Sequence, residues 1–315
     1  MHRRRHAGAQ PAHIVGASLD TVIAAGAAAE GRGIPVEILV TDDASDDGTR
    51  EIVLDKARSS PLRMHVIEFG TRQGPAVARN AALERASADL IVFVDSDVIV
   101  PRGFFEAHMA AHREQGPMIY VNGALVWVAT LEEALSMPRP TVWDFSGRSL
   151  GTANASVLRE HLDAVGGFDP AFRGMGWEDS DLGRRLQKFG LRRVQLQEAL
   201  AYHVEPAITT PEQLEVRLAK ERERGMYALH YMAKHPEFRT RLSAQDTAFH
   251  RFLSWAMRMG GIINEDNLLV WLERARRRGW ASLEKIWFEG VITKVYFESL
   301  NRARAEKSSG TSGVR

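Results

Sequence analysis

No cysteine occurs anywhere in the 315 residues. Disulfides are thereby excluded, and so are zinc sites built on thiolates. Net charge is also scarce: 41 Lys and Arg stand against 40 Asp and Glu. Such a balance, without an interleaved basic and aromatic platform, argues against nucleic-acid binding, which rests on neutralising phosphates. No apolar run approaches the ~18–20 residues of a membrane-spanning helix. The start, Met1-His2-Arg3-Arg4-Arg5-His6, is basic but lacks the apolar stretch of a secretory leader. A soluble, cytoplasmic protein is the expectation.

The composition that remains is globular, with 44% hydrophobic and 26% charged residues. Length allows one large α/β domain with an appendage. Residues 1–12 read as a disordered basic N-terminus. Ile14, Val15, Leu19, Val22 and Ile23 recur at helical spacing. Apolar strands are predicted at 36–40, 64–69 and 89–94, with helices between them. That alternation is the pattern of a parallel sheet. Beyond it the sequence predicts a strand at 118–128, an irregular loop at 129–149 and a short helix at 157–165. A helix to about residue 189, a strand near 193–196 and a helical region from 211 to 305 follow. A flexible tail at 306–315 closes the chain.

The acidic residues are placed with some economy. Asp42 and Asp43 follow the strand at 36–40, and Asp95-Ser96-Asp97 follows the run Leu90-Ile91-Val92-Phe93-Val94. Ligands of open α/β sheets bind just beyond the carboxyl ends of the strands. Two aspartates there suit a hard divalent cation that also holds a diphosphate. A solvated turn or a helix cap is the plainer alternative, although Ser45, Asp46 or Asp47 could cap alone. Arg72 and Arg79 flank Gly74 and are placed to meet a diphosphate; a surface arginine and an arginine paired with an aspartate are the plainer reading.

These segments carry a resemblance. Val40-Thr41-Asp42-Asp43-Ala44-Ser45-Asp46-Asp47-Gly48-Thr49 resembles the nucleotide-binding loop of family 2 glycosyltransferases. Gly74-Pro75-Ala76-Val77-Ala78-Arg79-Asn80 is similar to their Gly-x-x-x-Ala-Arg-Asn segment, and Asp95-Ser96-Asp97 to their Asp-x-Asp motif. Gly166-Gly167-Phe168-Asp169 and Gly174-Met175-Gly176-Trp177-Glu178-Asp179-Ser180-Asp181-Leu182 resemble the acceptor-side segment of the galactosyltransferase and chondroitin-polymerase branches. Tyr202-His203 resembles the metal-ligand histidine that follows.

The resemblance implies an α/β GT-A fold, Rossmann-like, with a mostly parallel sheet flanked by helices. It would cover residues 13–206, with a helical extension at 207–305. It also implies a metal-dependent, inverting transfer of a sugar from a nucleoside diphosphate donor, most plausibly UDP-linked. The acceptor would be a hydroxyl of a glycan, lipid or small molecule. Asp43 would bind the nucleobase, with Asp42, Arg72, Arg79, Asp95 and Ser96 completing the donor site. Asp97, His203 and Asp95 would hold Mn2+ or Mg2+. Asp179 would be the base, with Glu178 and Trp177 placing the acceptor. For the three acids after Trp177 the plainer reading is the acidic first turn of a helix, and for Trp177 a core tryptophan.

One departure stands out. Family members begin with a strand ending in a Pro-x-Tyr-Asn-like turn, and Met1–Gln10 supplies no apolar strand of that kind. The expectation is a sheet one strand short, or a start recorded too late, with the edge of the 36–40 strand exposed. Two rival functions share the motifs: transfer onto a peptide side chain, and a non-catalytic scaffold with a crippled nucleotide site. In the helical region, Leu268, Leu269, Trp271 and Leu272 run into Arg274, Arg276, Arg277, Arg278 and Trp280. A helical cap is the preferred reading of that stretch, with peripheral membrane contact as its alternative.

Overall fold

The computed structural model describes residues 12–139 and 149–309. The chain divides into two compact units. The first runs from α1 (Ala12–Glu30) through β1 (Glu37–Asp42), α2 (Thr49–Ser59), β2 (Arg63–Glu68), α3 (Pro75–Arg85), β3 (Leu90–Val94) and β4 (Val98–Ile99). It continues with α4 (Phe104–Gln115), β5 (Ile119–Val128), α5 (Leu131–Leu135), β6 (Asn154–Leu158), α6 (Arg159–Val165), α7 (Glu178–Phe189) and β7 (Arg192–Val204). Residues 1–11 and 310–315 of the expected terminal segments, and residues 140–148 of the expected 129–149 loop, lie outside the described residues. Within that loop, Leu131–Leu135 forms the short helix α5, capped by Thr130.

The sheet is more mixed than the strand–helix alternation suggests. β1 and β2 pair in parallel, while β3, β6, β5, β7 and β4 form a separate five-stranded sheet in that order. In it β5 and β7 run parallel, and β3–β6, β5–β6 and β4–β7 are antiparallel. Asn154–Leu158, expected to lead into a helix, is instead a strand between β3 and β5. Tertiary pairing decides this five-residue stretch, which is too short for periodicity to fix. β7 is also longer than predicted and carries His203 within its ladder. Among the described residues β1 pairs with β2 alone, and a cavity of about 90 Å3 lies between β1 and β3. Val36, Leu90, Val92 and Phe105 are among its lining residues.

The core of this unit lies around Val98, Val100, Phe104 and Ala201, with Val22, Ala25 and Ile38 packed against them. One expectation is corrected here. α1 is long and apolar enough to cross a membrane, with a mean hydropathy of 1.4, although half of that window is buried. Its packing accounts for the composition: Ile14, Val15, Leu19 and Ala25 are buried, and Ser18 Oγ donates to the Val98 carbonyl at 2.7 Å.

The second unit comprises α8 (Pro211–Lys234), α9 (Phe238–Ser243), α10 (Ala248–Met257), a 3-10 turn (Met259–Gly261), α11 (Leu268–Arg277) and α12 (Ala281–Ser308). The segment Gly174–Trp177 belongs to this unit. α12 extends through Ser308, into the expected tail. Its core contains Leu214, Leu218, Leu268, Leu272, Trp287 and Val291. Leu268 and Leu272 are thus core, which fixes the stretch singled out in the sequence as a packed helix.

Candidate active site

Three elements converge on Asp95 and Asp97. β3 delivers Asp95 as it ends, and the chain turns at once into β4, with Val98 N donating to the Asp95 carbonyl. β4 pairs antiparallel with β7 so that Val98 faces His203. That register sets His203 Nε2 at 3.4 Å from Asp97 Oδ1, and Val204 N donates to the Asp97 carbonyl at 2.9 Å. Asp95, Asp97 and His203 each offer a ligand atom, and these atoms lie within 4.8 Å of one another. Asp97 is 5% exposed. Two carboxylates and an imidazole make a mixed oxygen and nitrogen donor set that suits Mn2+ and is compatible with Mg2+. His203 Nδ1 is buried without a hydrogen-bond partner.

α3 supplies the next member. Arg79 donates from Nη1 to Glu178 Oε1 at 2.9 Å and from Nη2 to Asp95 Oδ1 at 3.1 Å. Its guanidinium also sits 5.5 Å from the Phe168 ring centroid. Burial alone would lower its pKa; Asp95 and Glu178 outweigh that and hold it raised. Arg79, expected beside a diphosphate, is thus the link between the Asp95 turn and α7. Asn80, the next residue, grips the segment that follows α6: Nδ2 donates to the Phe168 carbonyl and Oδ1 accepts from Phe168 N, both at 2.8 Å.

α7 opens with Glu178, Asp179 and Asp181, all nearly buried. Burial raises the pKa of Glu178, and the neighbouring Asp179 carboxylate raises it further against the opposing pull of Arg79. Crowding against a second carboxylate disfavours the ionised form of Glu178. Asp181 has a different task, since its Oδ2 accepts from Arg185 Nε at 2.8 Å within the same helix.

The β1 loop divides its two aspartates. Asp43, expected to bind the nucleobase, accepts from the amides of Gln73 at 2.6 Å and Gly74 at 2.9 Å, and so fixes the loop entering α3. Asp42 is 3% exposed, and its Oδ1 is buried with no hydrogen-bond partner. An unsatisfied buried carboxylate oxygen at a strand end points to a donor supplied from outside the protein. Arg72 and Ser96 are exposed on their loops.

Trp177, expected to place the acceptor, takes its plainer reading as a core tryptophan. Trp177 is 6% exposed, stacks on Tyr231 at 4.8 Å and donates from Nε1 to the Arg224 carbonyl at 2.8 Å. The Arg224 guanidinium lies 5.1 Å from its ring centroid. Its indole is a packed core ring. Trp127, which the sequence reading passed over, lies in register with His203 across β5 and β7, with the two rings 4.2 Å apart, and is 44% exposed. Its only signal in the sequence is an aromatic residue at the carboxyl end of an apolar strand.

Residues 11–135 match the family model "Glycosyl transferase family 2", and residues 139–207 match "N-terminal domain of galactosyltransferase". A validoxylamine A glucosyltransferase of Streptomyces hygroscopicus subsp. jinggangensis (strain 5008) is 30% identical over 190 residues, covering 49% of this chain and 44% of that protein. An uncharacterized glycosyltransferase of Bacillus subtilis (strain 168) is 24% identical over 213 residues, covering 49% and 53%. The chain thus spans about half the length of these relatives. Among solved structures, a mannosyltransferase from Pyrobaculum calidifontis, in complex with GDP-Man and Mn2+, superposes with a TM-score of 0.53. It is 20% identical, and the match covers 89% of this chain and 82% of that one.

Proposed function

We propose that this chain, whose residues 11–135 match the family 2 glycosyltransferase model and whose fold is GT-A, is a metal-dependent, inverting glycosyltransferase of that family. The donor is a nucleoside diphosphate sugar, with uridine diphosphate sugars the first class to test. The acceptor is a hydroxyl of a glycan, lipid or small molecule. The observation that carries this reading is the clustering of Asp95, Asp97 and His203, tied through Arg79 to Glu178 at the head of α7.

A divalent ion held by Asp97, His203 and Asp95 would neutralise the negative charge that develops on the departing diphosphate. The rest of the chemistry falls to side chains. Asp179 takes the proton from the acceptor hydroxyl as its oxygen bonds to the anomeric carbon and the bond to the diphosphate breaks. Glu178 orients the acceptor hydroxyl, held in place by Arg79. Asp42, with its spare buried oxygen, accepts from the nucleobase, while Asp43 shapes the loop beneath it. Trp127 offers its exposed indole to a sugar face.

The test is donor turnover and binding for Asp179→Asn. Donor affinity should stay within about threefold, while kcat falls by roughly 10²–10⁴. Unchanged turnover would remove Asp179 from the role of base.

A further inference from the structure

α10 is built inside out. Its polar residues face the unit's interior, where Ser254 Oγ donates to the Gly290 carbonyl at 2.9 Å and Arg251 Nη2 donates to Asn301 Oδ1 at 3.0 Å. The Arg251 guanidinium also covers the Phe297 ring at 4.7 Å and pairs with Asp246. Its apolar residues face outward: Phe249, Phe252 and Trp255 are 66%, 62% and 51% exposed, with Leu253 and Met259 beside them. Positions 249, 252, 253 and 256 fall on one helical stripe, and that stripe carries no charge. An ordinary amphipathic helix of a globular unit does the reverse.

We propose that this face of α10 seats the protein on an anionic lipid surface, with the aromatic rings entering the interface between headgroups and acyl chains. Three observations select that occupant. The exposed set is dominated by Phe, Trp and Leu, the residues that interfacial helices bury. With the inward Arg251–Asp246 pair and the packed Arg258 set aside, the stretch 234–259 holds Lys234, Arg239 and Arg241 against Glu237, and Arg239 and Arg241 are exposed on α9. A net positive stretch leading into an apolar face complements anionic headgroups. The third is size. α10 has ten residues, so its face is about 15 Å long and about 10 Å wide. Taken by itself that face falls well short of the ~800 Å2 per partner of a standard protein interface.

The inference is independent of the assigned chemistry, since it uses neither the candidate metal ligands nor α7. It also moves any membrane contact away from Leu268–Arg277, whose apolar face is core.

The experiment is co-sedimentation of the full chain with vesicles of phosphatidylcholine alone and of phosphatidylcholine mixed with phosphatidylglycerol. A variant carrying Phe249→Ser, Phe252→Ser and Trp255→Ser is run beside it. Because all three side chains are exposed, circular dichroism and melting temperature should match the parent. The parent should sediment with the anionic vesicles and less with the neutral ones, and the variant should lose at least about tenfold in partitioning. Equal sedimentation of parent and variant would overturn the proposal. So would a parent that stays in solution with both vesicle types, or a parental dimer that the variant converts to monomer.

Discussion

At the residue scale the account turns on how few groups must be held in place and what holds them. His203 is set by the β4–β7 ladder and braced by the Trp127 ring. Glu178 is anchored by Arg79, which simultaneously holds Asp95. The raised pKa of Glu178 means that its carboxyl keeps its proton to higher pH than an ordinary glutamate. The acid limb of kcat/KM should therefore lie above the usual carboxylate range, reporting loss of the proton from Glu178. Trp127→Ala should raise KM for the donor or acceptor by about tenfold, while the conservative Trp127→Phe retains most of the affinity. Steady-state kinetics on both variants decides the matter, and identical KM values throughout would remove Trp127 from the site.

At the scale of elements, the loop from β2 into α3 depends on one glycine. Gly74 has φ 91° and ψ 165°, a region open essentially to glycine, and a Cβ there would lie 2.0 Å from the Arg173 carbonyl oxygen. Gly74→Ala should cost about 2–4 kcal/mol, read by urea denaturation, because strain and overlap act together. A second element-level device lies between α4 and the sheet. Asn154 Nδ2 donates to the carbonyls of Ala124 and Ala199, so its Oδ1 accepts from His108 Nε2 at 3.0 Å. His108 Nδ1 must then accept from Ser156 Oγ at 2.9 Å, and His112 Nε2 donates to that same oxygen at 3.0 Å. This ordering leaves no room for a second proton on His108, and burial depresses its pKa from 6.5 to about 4. Burial likewise lowers His112, with His161 adding to the effect. The unfolded chain takes up protons between these values while the folded chain does not, so stability falls as pH drops from 6.5 towards 4. His108 accounts for about 3 kcal/mol of that fall. Melting temperature measured across this range should decline, and His108→Gln should flatten the decline.

For the whole molecule, the comparison between sequence and structure separates two kinds of information. Strand-end acids were legible because each follows a short apolar run bounded by turn residues, which puts Asp42 and Asp95 at the carboxyl ends of β1 and β3. His203 was legible only through resemblance, since its partner Asp97 is brought to it by the pairing of β4 with β7. The Trp127–His203 contact and the bridging role of Arg79 depend on register and on residues 99 positions apart, which no local pattern encodes. Trp177 misled because an aromatic beside acids reads alike whether it meets a sugar or a core. α10 is the converse case: its periodicity announces a helix but not which side faces out. The measurement that bears most directly on the central claim is calorimetric titration of uridine diphosphate into the full chain with Mn2+ and again with EDTA, for the parent and for Asp97→Ala. Binding with Mn2+ that disappears with EDTA and in the variant is the predicted result. Binding that is equally tight in EDTA, or untouched by the substitution, would contradict a metal-centred donor site at Asp95, Asp97 and His203.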